Sequence, residues 1–314
     1  MKKRVLLVGA LFLCFLFPFS TSAFAYSQIV AFGDSLSDNG NIFDLTLELT
    51  GEEYPPAPYY DGRFSNGPVW VDYLAQDLGV DLLDMAYGGA RTYGHPASAT
   101  GTDNTGYDLG FSWQVDQYLT MTNDMADPNA LYTVWIGGND LLNLDGNRPG
   151  KVILNAAINI GHAIGDLYAA GATDIVLMNM PDLGATPLLN GTEETSQYGE
   201  NLSKRFNCSL AITQAIMEWY LPDLNLFSID IFSLMDEFIA SGVFADTTNM
   251  GILDQANADD YLFWDAIHPT TYAHSLIADA VYSQVAPVPE PSTIVLMGLG
   301  LVGLAGLGRK KFRK

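Results

Sequence analysis

Short apolar runs alternate with amphipathic segments along residues 26–287, and this alternation predicts an α/β sandwich around a mainly parallel sheet. Two observations support that fold class. Runs such as Leu131-Tyr132-Thr133-Val134-Trp135-Ile136 are apolar throughout, which implies burial on both faces. The first three runs also end in glycine turns, at Gly33, Gly88-Gly89 and Gly137-Gly138. In chain order, strands are predicted over 26–32, 82–86, 131–136, 174–180 and 224–229. Helices are predicted over 69–78, 111–121, 152–170, 196–220 and 271–285. The third of these carries Ile153, Ala156, Ile160, Ile164 and Leu167 at helical spacing. Residues 44–53 read as an acidic loop or short helix. Three prolines among the tyrosines of 54–60 exclude a regular element there. Residues 61–68 are turn chemistry, and 94–108 form a loop rich in Gly, Thr, Asn and Asp. In open parallel sheets function gathers at the carboxyl ends of the strands. Ser35, Gly89 and Asn139 each fall just past one.

The N-terminus has a basic head (Lys2, Lys3, Arg4), an apolar block over 5–19 and a small-residue end at Ala23-Phe24-Ala25. That is a secretory signal peptide, residues 1–25, cut by a signal peptidase. Cys14 leaves with it, so Cys208 has no intramolecular disulfide partner in the mature chain. Residues 26–287 show no repeat and no linker, which predicts one domain. The formal net charge is -22, and only six of the 14 basic residues lie in this body. An acidic body argues against nucleic acid and anionic membrane surfaces as partners.

The candidate chemistry begins at Phe32-Gly33-Asp34-Ser35-Leu36-Ser37-Asp38. A serine between a strand and a following helix lies beside unpaired N–H groups and the positive end of the helix dipole. That favours a nucleophile whose reaction puts negative charge on a carbonyl oxygen. Near the end of the body, Trp264-Asp265-Ala266-Ile267-His268-Pro269 supplies a base and an acid three residues apart. His268 can take the proton of Ser35, and Asp265 can orient the imidazole. Candidate oxyanion donors are the Ser35 N–H, the Gly89 N–H and the Asn139 side-chain amide, with Gly88 as an alternative to Gly89.

The segments 32–41, 62–74, 86–90, 136–141 and 265–269 resemble, in order, the conserved blocks of the GDSL esterase/lipase family of SGNH hydrolases. The resemblance spans nearly the whole body. It implies a three-layer α/β/α, flavodoxin-like fold and cofactor-free, metal-free ester hydrolysis. Ser35, Gly89, Asn139 and His268 match the four signature residues, and Asp265 the triad acid. One position departs from the pattern: Asp84 stands where the family often has asparagine. No Gly-x-Ser-x-Gly elbow occurs.

Residues 288–314 change character. Pro289-Glu290-Pro291 precedes an apolar run over 294–307 and then Arg309, Lys310, Lys311, Arg313 and Lys314. The run is short against the roughly 20 residues of a stable span, and the basic end points to a short transmembrane segment. The segment resembles a PEP-CTERM sorting signal. That implies an exosortase-type processing partner, transient membrane association, and delivery to the cell envelope, surface or extracellular matrix of a Gram-negative bacterium.

The remaining candidates are weaker. His162 falls mid-helix and reads as structural, His274 as a surface or packing residue, and His95 lies in a loop without a motif. Four histidines without paired spacing give no metal site, and Asp103, Asn104 and Asp108 lack a calcium-loop pattern. Arg63, Asn66 and Trp70 fit a cleft wall or a packed turn. Tyr54 to Tyr60 fit an apolar lip or a cover for the core. The expected function is hydrolysis of carboxylic esters, either lipid or short-chain. The alternatives are deacylation of a secreted polysaccharide, acyl transfer to an alcohol, or an inert binding protein on the same fold.

Overall fold

In a computed structural model, residues 26–93, 109–144 and 146–286 are described. The expected signal peptide, the loop 94–108 with His95, Asp103, Asn104 and Asp108, and the sorting segment 288–314 lie outside the described residues.

Among the described residues five strands form one sheet: β1 (Gln28–Gly33), β2 (Asp81–Asp84), β3 (Leu131–Trp135), β4 (Asp174–Met178) and β5 (Asn225–Ile229). Their spatial order is β2-β1-β3-β4-β5, and every pairing is parallel. Side chains alternate along a strand, so each strand feeds two cores. Val30, Phe32, Tyr132, Val134, Ile175 and Leu177 face one layer. It contains α3 (Phe111–Met121), α5 (Pro149–Ala170) and α6 (Glu193–Tyr220). Ile29, Ala31, Leu131, Trp135, Val176 and Met178 face the other. That layer holds α2 (Trp70–Leu78), α7 (Ile231–Ser241) and α8 (Thr271–Val285). The architecture is the expected α/β/α sandwich on a parallel sheet. The order reverses at β1, so the ends of β1 and β3 flank the crevice where such sheets bind ligands.

Five features differ from the sequence expectation. The helix after Ser35 is α1 (Asn41–Thr50), six residues downstream, so Ser35 sits in a turn and not at a helix N-terminus. The short α4 (Gly138–Leu142), α7 and the two-stranded parallel pair β6 (Asp246–Met250) and β7 (Tyr261–Phe263) are additions. The helices α5 and α6 also start three residues earlier than expected. Pro149 lies in the first turn of α5, where its missing N–H costs nothing. The Thr192 hydroxyl caps α6 by accepting from the Thr195 N–H. Among the described residues no helix is long and apolar enough to cross a membrane.

The close approach of β1 and β3 at the site requires glycine. A Cβ on Gly33 would lie 2.6 Å from the Trp135 carbonyl oxygen and 3.1 Å from the Ser37 hydroxyl. The obstacle on one side is backbone, which has little room to move. Gly33→Ala is expected to lose about 1–3 kcal/mol of stability, read as a lower urea midpoint at unchanged slope. An unchanged midpoint would mean that the two strand ends part without cost.

Candidate active site

Ser35 lies in a turn that begins as β1 ends. The Asp34 carbonyl accepts from the Ser37 and Asp38 N–H groups, both at 3.0 Å, and Asp34 Oδ1 accepts from the Leu36 N–H at 3.1 Å. Gln114 on α3 completes the hold. Its Oε1 accepts from the Gly33 N–H at 3.0 Å and its Nε2 donates to the Gly33 carbonyl at 2.8 Å. This buried amide does for β1 what a neighbouring strand would, at the point where β2 has ended.

Across the crevice, Asp265 and His268 sit in the loop between β7 and α8. His268 Nε2 lies 2.8 Å from Ser35 Oγ, and His268 Nδ1 lies 2.7 Å from Asp265 Oδ2. The serine and the histidine are shielded from water, with Ser35 8% and His268 7% exposed. Asp265 Oδ1 accepts from the Ile267 N–H at 2.9 Å and the His268 N–H at 2.8 Å. The Tyr59 hydroxyl donates to Oδ2 at 2.6 Å. Burial works against the charge on Asp265, but His268, the Ile267 N–H and Tyr59 outweigh it and hold the carboxyl well below its ordinary range.

The glycine loop after β2 is stitched to the Ser35 turn by carboxylates. Asp38 Oδ2 accepts from the Gly88 N–H at 2.7 Å, and Oδ1 accepts from the Gly40 and Asn41 N–H groups at 2.8 and 2.6 Å. Asp84 accepts from the Asn39 N–H at 2.8 Å and the Ala86 N–H at 2.9 Å. Asp140 on α4 accepts from the Thr92 N–H and hydroxyl at 2.9 and 2.8 Å. Gly89 has φ 82°, a conformation that favours glycine, and no described residue accepts from its N–H or from that of Ser35. Asn139 Nδ2 donates to the Ala90 carbonyl at 3.0 Å.

Ser35, Asn139 and His268 line one pocket of about 560 Å³, counting the space that opens to solvent. Leu142, Met180, Leu183 and Ile267 make its wall largely apolar. Asp265 lies behind His268, and Gly89 is outside this lining. The other candidates have structural surroundings. Arg63 pairs through two nitrogens with Asp72, Asn66 Oδ1 accepts from the Thr271 N–H, and Trp70 is buried with its indole N–H on Ser37 Oγ. His274 is fully packed. Burial, with the charge of His268, pushes it down to about 3, and its neutral Nδ1 accepts from the Trp70 N–H. His162 is exposed on the outer face of α5 and supports no core, which corrects its structural reading. Sequence reasoning missed Gln114 and Tyr59. Nothing local flags either, because their partners lie 81 and 206 residues away.

Taken together, a parallel α/β/α sandwich carries a serine, a histidine and an aspartate in hydrogen-bonded line at its strand ends. The chain belongs to the GDSL-like lipase/acylhydrolase family, which it matches over residues 29–281. Residues 287–310 match the PEP-CTERM protein-sorting motif. It is 27% identical to a phosphatidylcholine-sterol acyltransferase of Aeromonas hydrophila, over 81% of this chain and 89% of that one. It is also 27% identical to a thermolabile hemolysin of Vibrio parahaemolyticus, over 81% of this chain but only 62% of the hemolysin. Among solved structures, an acetylxylan esterase from Geobacillus stearothermophilus superposes with a TM-score of 0.44 at 14% identity, over 84% of this chain and 95% of that one.

The site holds several buried acids. Burial raises Asp34 to about 7, against the Leu36 N–H and His268. Burial raises Asp38 to about 6, against its backbone donors. Asp84 is pushed well above the ordinary range by burial and then by the charge of Asp38. Each folded value exceeds the unfolded one of 3.8. Between about pH 4 and 7 the folded chain therefore keeps protons that the unfolded chain releases, and stability from these groups falls as pH rises. Asp265 has the opposite sign, but its contribution is lost only below about pH 4. The melting temperature of the full chain is expected to rise by about 5 °C from pH 8 to pH 5.5, followed by calorimetry. A flat or falling profile would show that the three acids ionise without penalty.

Proposed function

We propose that this chain is an exported serine esterase or lipase that cleaves carboxylic esters through an acyl-enzyme on Ser35. The observation that carries the reading is the line from Ser35 Oγ to His268 at 2.8 Å and on to Asp265 at 2.7 Å, opening on an apolar pocket. Ser35 attacks the ester carbonyl while His268 Nε2 accepts its proton, and Asp265 stabilises the imidazolium. The oxyanion is received by the Ser35 N–H, the Gly89 N–H and the Asn139 amide. Gly89 is assigned over Gly88 because Asp38 already accepts from the Gly88 N–H. Asn139 Nδ2 carries two hydrogens, and the Ala90 carbonyl uses one. His268 then protonates the leaving alcohol, and water repeats the cycle on the acyl-enzyme.

Leu142, Met180, Leu183 and Ile267 favour an apolar acyl chain over acetate. A second reading is acyl transfer to an alcohol acceptor, supported by the acyltransferase of Aeromonas hydrophila among the relatives. The same Ser35 chemistry serves both, and only the acceptor differs. Export is supported by the basic-apolar-small N-terminus and the sorting motif at 287–310. Signal peptidase and an exosortase-type enzyme would be the processing partners.

The test is hydrolysis of nitrophenyl esters of short and long acyl chains by the full chain. Ser35→Ala is expected to lower kcat by about 10⁴-fold or more. Asn139→Ala is expected to cost about 10²–10³ in kcat with KM little changed. Longer acyl chains should be preferred. Activity that survives Ser35→Ala would exclude the acyl-enzyme. Folded protein inert on every ester but active on acylated polysaccharide would transfer the assignment to a carbohydrate esterase. Binding without turnover on either would make it a binding protein.

A further inference from the structure

Among the described residues the carboxylate of Asp265 makes four hydrogen bonds. Two go to N–H groups of its own loop and one to His268 Nδ1. The fourth comes from far away in sequence. Tyr59 Oη donates at 2.6 Å to Oδ2, the same oxygen that faces His268 Nδ1 at 2.7 Å. The Tyr59 ring is held edge-on against Phe64 and Trp264, with centroids 6.2 and 6.3 Å away. Phe64 in turn lies 5.1 Å from the His268 ring. A second tie, from Ser65 Oγ to the Pro269 carbonyl at 2.9 Å, fastens the same segment beyond His268. The segment 59–65 thus brackets the histidine on both sides.

We propose that Tyr59 is a positioning residue of the proton relay, its hydroxyl fixing Asp265 Oδ2 against the His268 ring and tempering the charge that the imidazole feels. The proposal rests on the serine-hydrolase reading of the site. Three of the four bonds come from the loop itself, and they move with it if the loop rocks. Tyr59 is the one side chain outside that loop, among the described residues, that donates to the carboxylate. Burial and then the Asp265 charge push the Tyr59 hydroxyl above its ordinary value, so it stays a donor across the working pH range. The other titratable groups close by are Tyr54, facing Asp265 and Tyr59, and Asp34 and His274, facing His268. None of them is hydrogen-bonded to Asp265.

Tyr59→Phe in the full chain keeps the ring packing and removes only the donor. Its neighbour Tyr60, half exposed over Arg63, supplies the control Tyr60→Phe. Two readouts are needed: kcat and KM across pH, and the low-field proton resonance of His268 Nδ1–H in ligand-free protein. Losing one hydrogen bond to a charged group should lower kcat at neutral pH by about tenfold and leave KM unchanged. The undivided charge on Oδ2 then favours the imidazolium, so the acid limb of kcat/KM moves to higher pH and the resonance moves downfield. Tyr60→Phe should change neither. A fluorinated tyrosine at position 59, a stronger donor of nearly the same shape, must move the limb the opposite way; it decides the matter if Tyr59→Phe fails to fold. An unmoved limb and resonance would overturn the proposal even if the rate falls. A rise in KM alone would also overturn it and make Tyr59 a substrate contact. The resonance needs no turnover, so a Ser35→Ala result that sinks the hydrolase reading leaves the Tyr59 coupling separately decided.

Discussion

The site depends on one buried carboxylate, that of Asp38. It gathers the N–H groups of Gly40, Asn41 and Ile42 at the start of α1 and that of Gly88 in the glycine loop. The first three are donors that a helix N-terminus leaves without intrahelical partners, and the positive end of the dipole favours an anion there. Burial opposes that anion, yet withdrawing it would strand four donors at once. Hydrogen bonds to a charged acceptor contribute about 1.5–3 kcal/mol each, so the four offset much of the carboxylate's desolvation, although burial still leaves Asp38 raised to about 6. This is why the helix begins at Asn41 and not directly after Ser35. The intervening residues form the turn that carries the serine and delivers Asp38 to the helix start.

The same logic explains the acidic residue at position 84. Its two oxygens serve two different N–H groups, those of Asn39 and Ala86. An asparagine has one acceptor oxygen and could serve only one of them. Asn41 reinforces the stitch by donating to the carbonyls of Asp84 and Ala86 at 3.0 and 2.9 Å. The departure from the family's common residue is thus matched by the local donors. Its cost is the nearness of Asp38, which raises Asp84 further. Asp140 repeats the device on the far side of the glycine loop, through Thr92.

Much of this arrangement was legible in the sequence, and the limits have a physical cause. The central strands announced themselves as fully apolar runs because both their faces are buried. The residues at their ends announced themselves through glycine turns. The strands β6 and β7 gave no such signal, since β6 is the polar, half-exposed Asp246–Met250 and β7 has three residues. The helix α7 did carry one, with Ile231, Met235 and Phe238 buried at helical spacing and Asp230 as its cap, and it could have been read. Gln114 and Tyr59 could not. A side chain that replaces a missing strand neighbour, or that holds a carboxylate 206 residues away, leaves no periodicity behind. The segment 54–60, open between a lip and a cover, is tied to Asp265 instead.

The serine and histidine are 233 residues apart, and a second line of bonds runs beside theirs. Ser37, two residues past the serine, accepts from the Trp70 indole N–H at 3.1 Å, and the Trp70 backbone N–H donates to His274 Nδ1 at 3.3 Å. His274 lies on α8, which follows the His268 loop directly. The Ser35 turn, α2 and α8 are thereby linked through buried groups, and Trp70 and Trp135 pack edge to face beside the line at 6.1 Å. This second line works only while His274 stays neutral, because a protonated Nδ1 cannot accept. Burial secures that by pushing the ring down to about 3. The two histidines therefore divide the work: one faces the pocket and is placed to exchange a proton, while the other is sealed off from protons and holds the first in register with its serine.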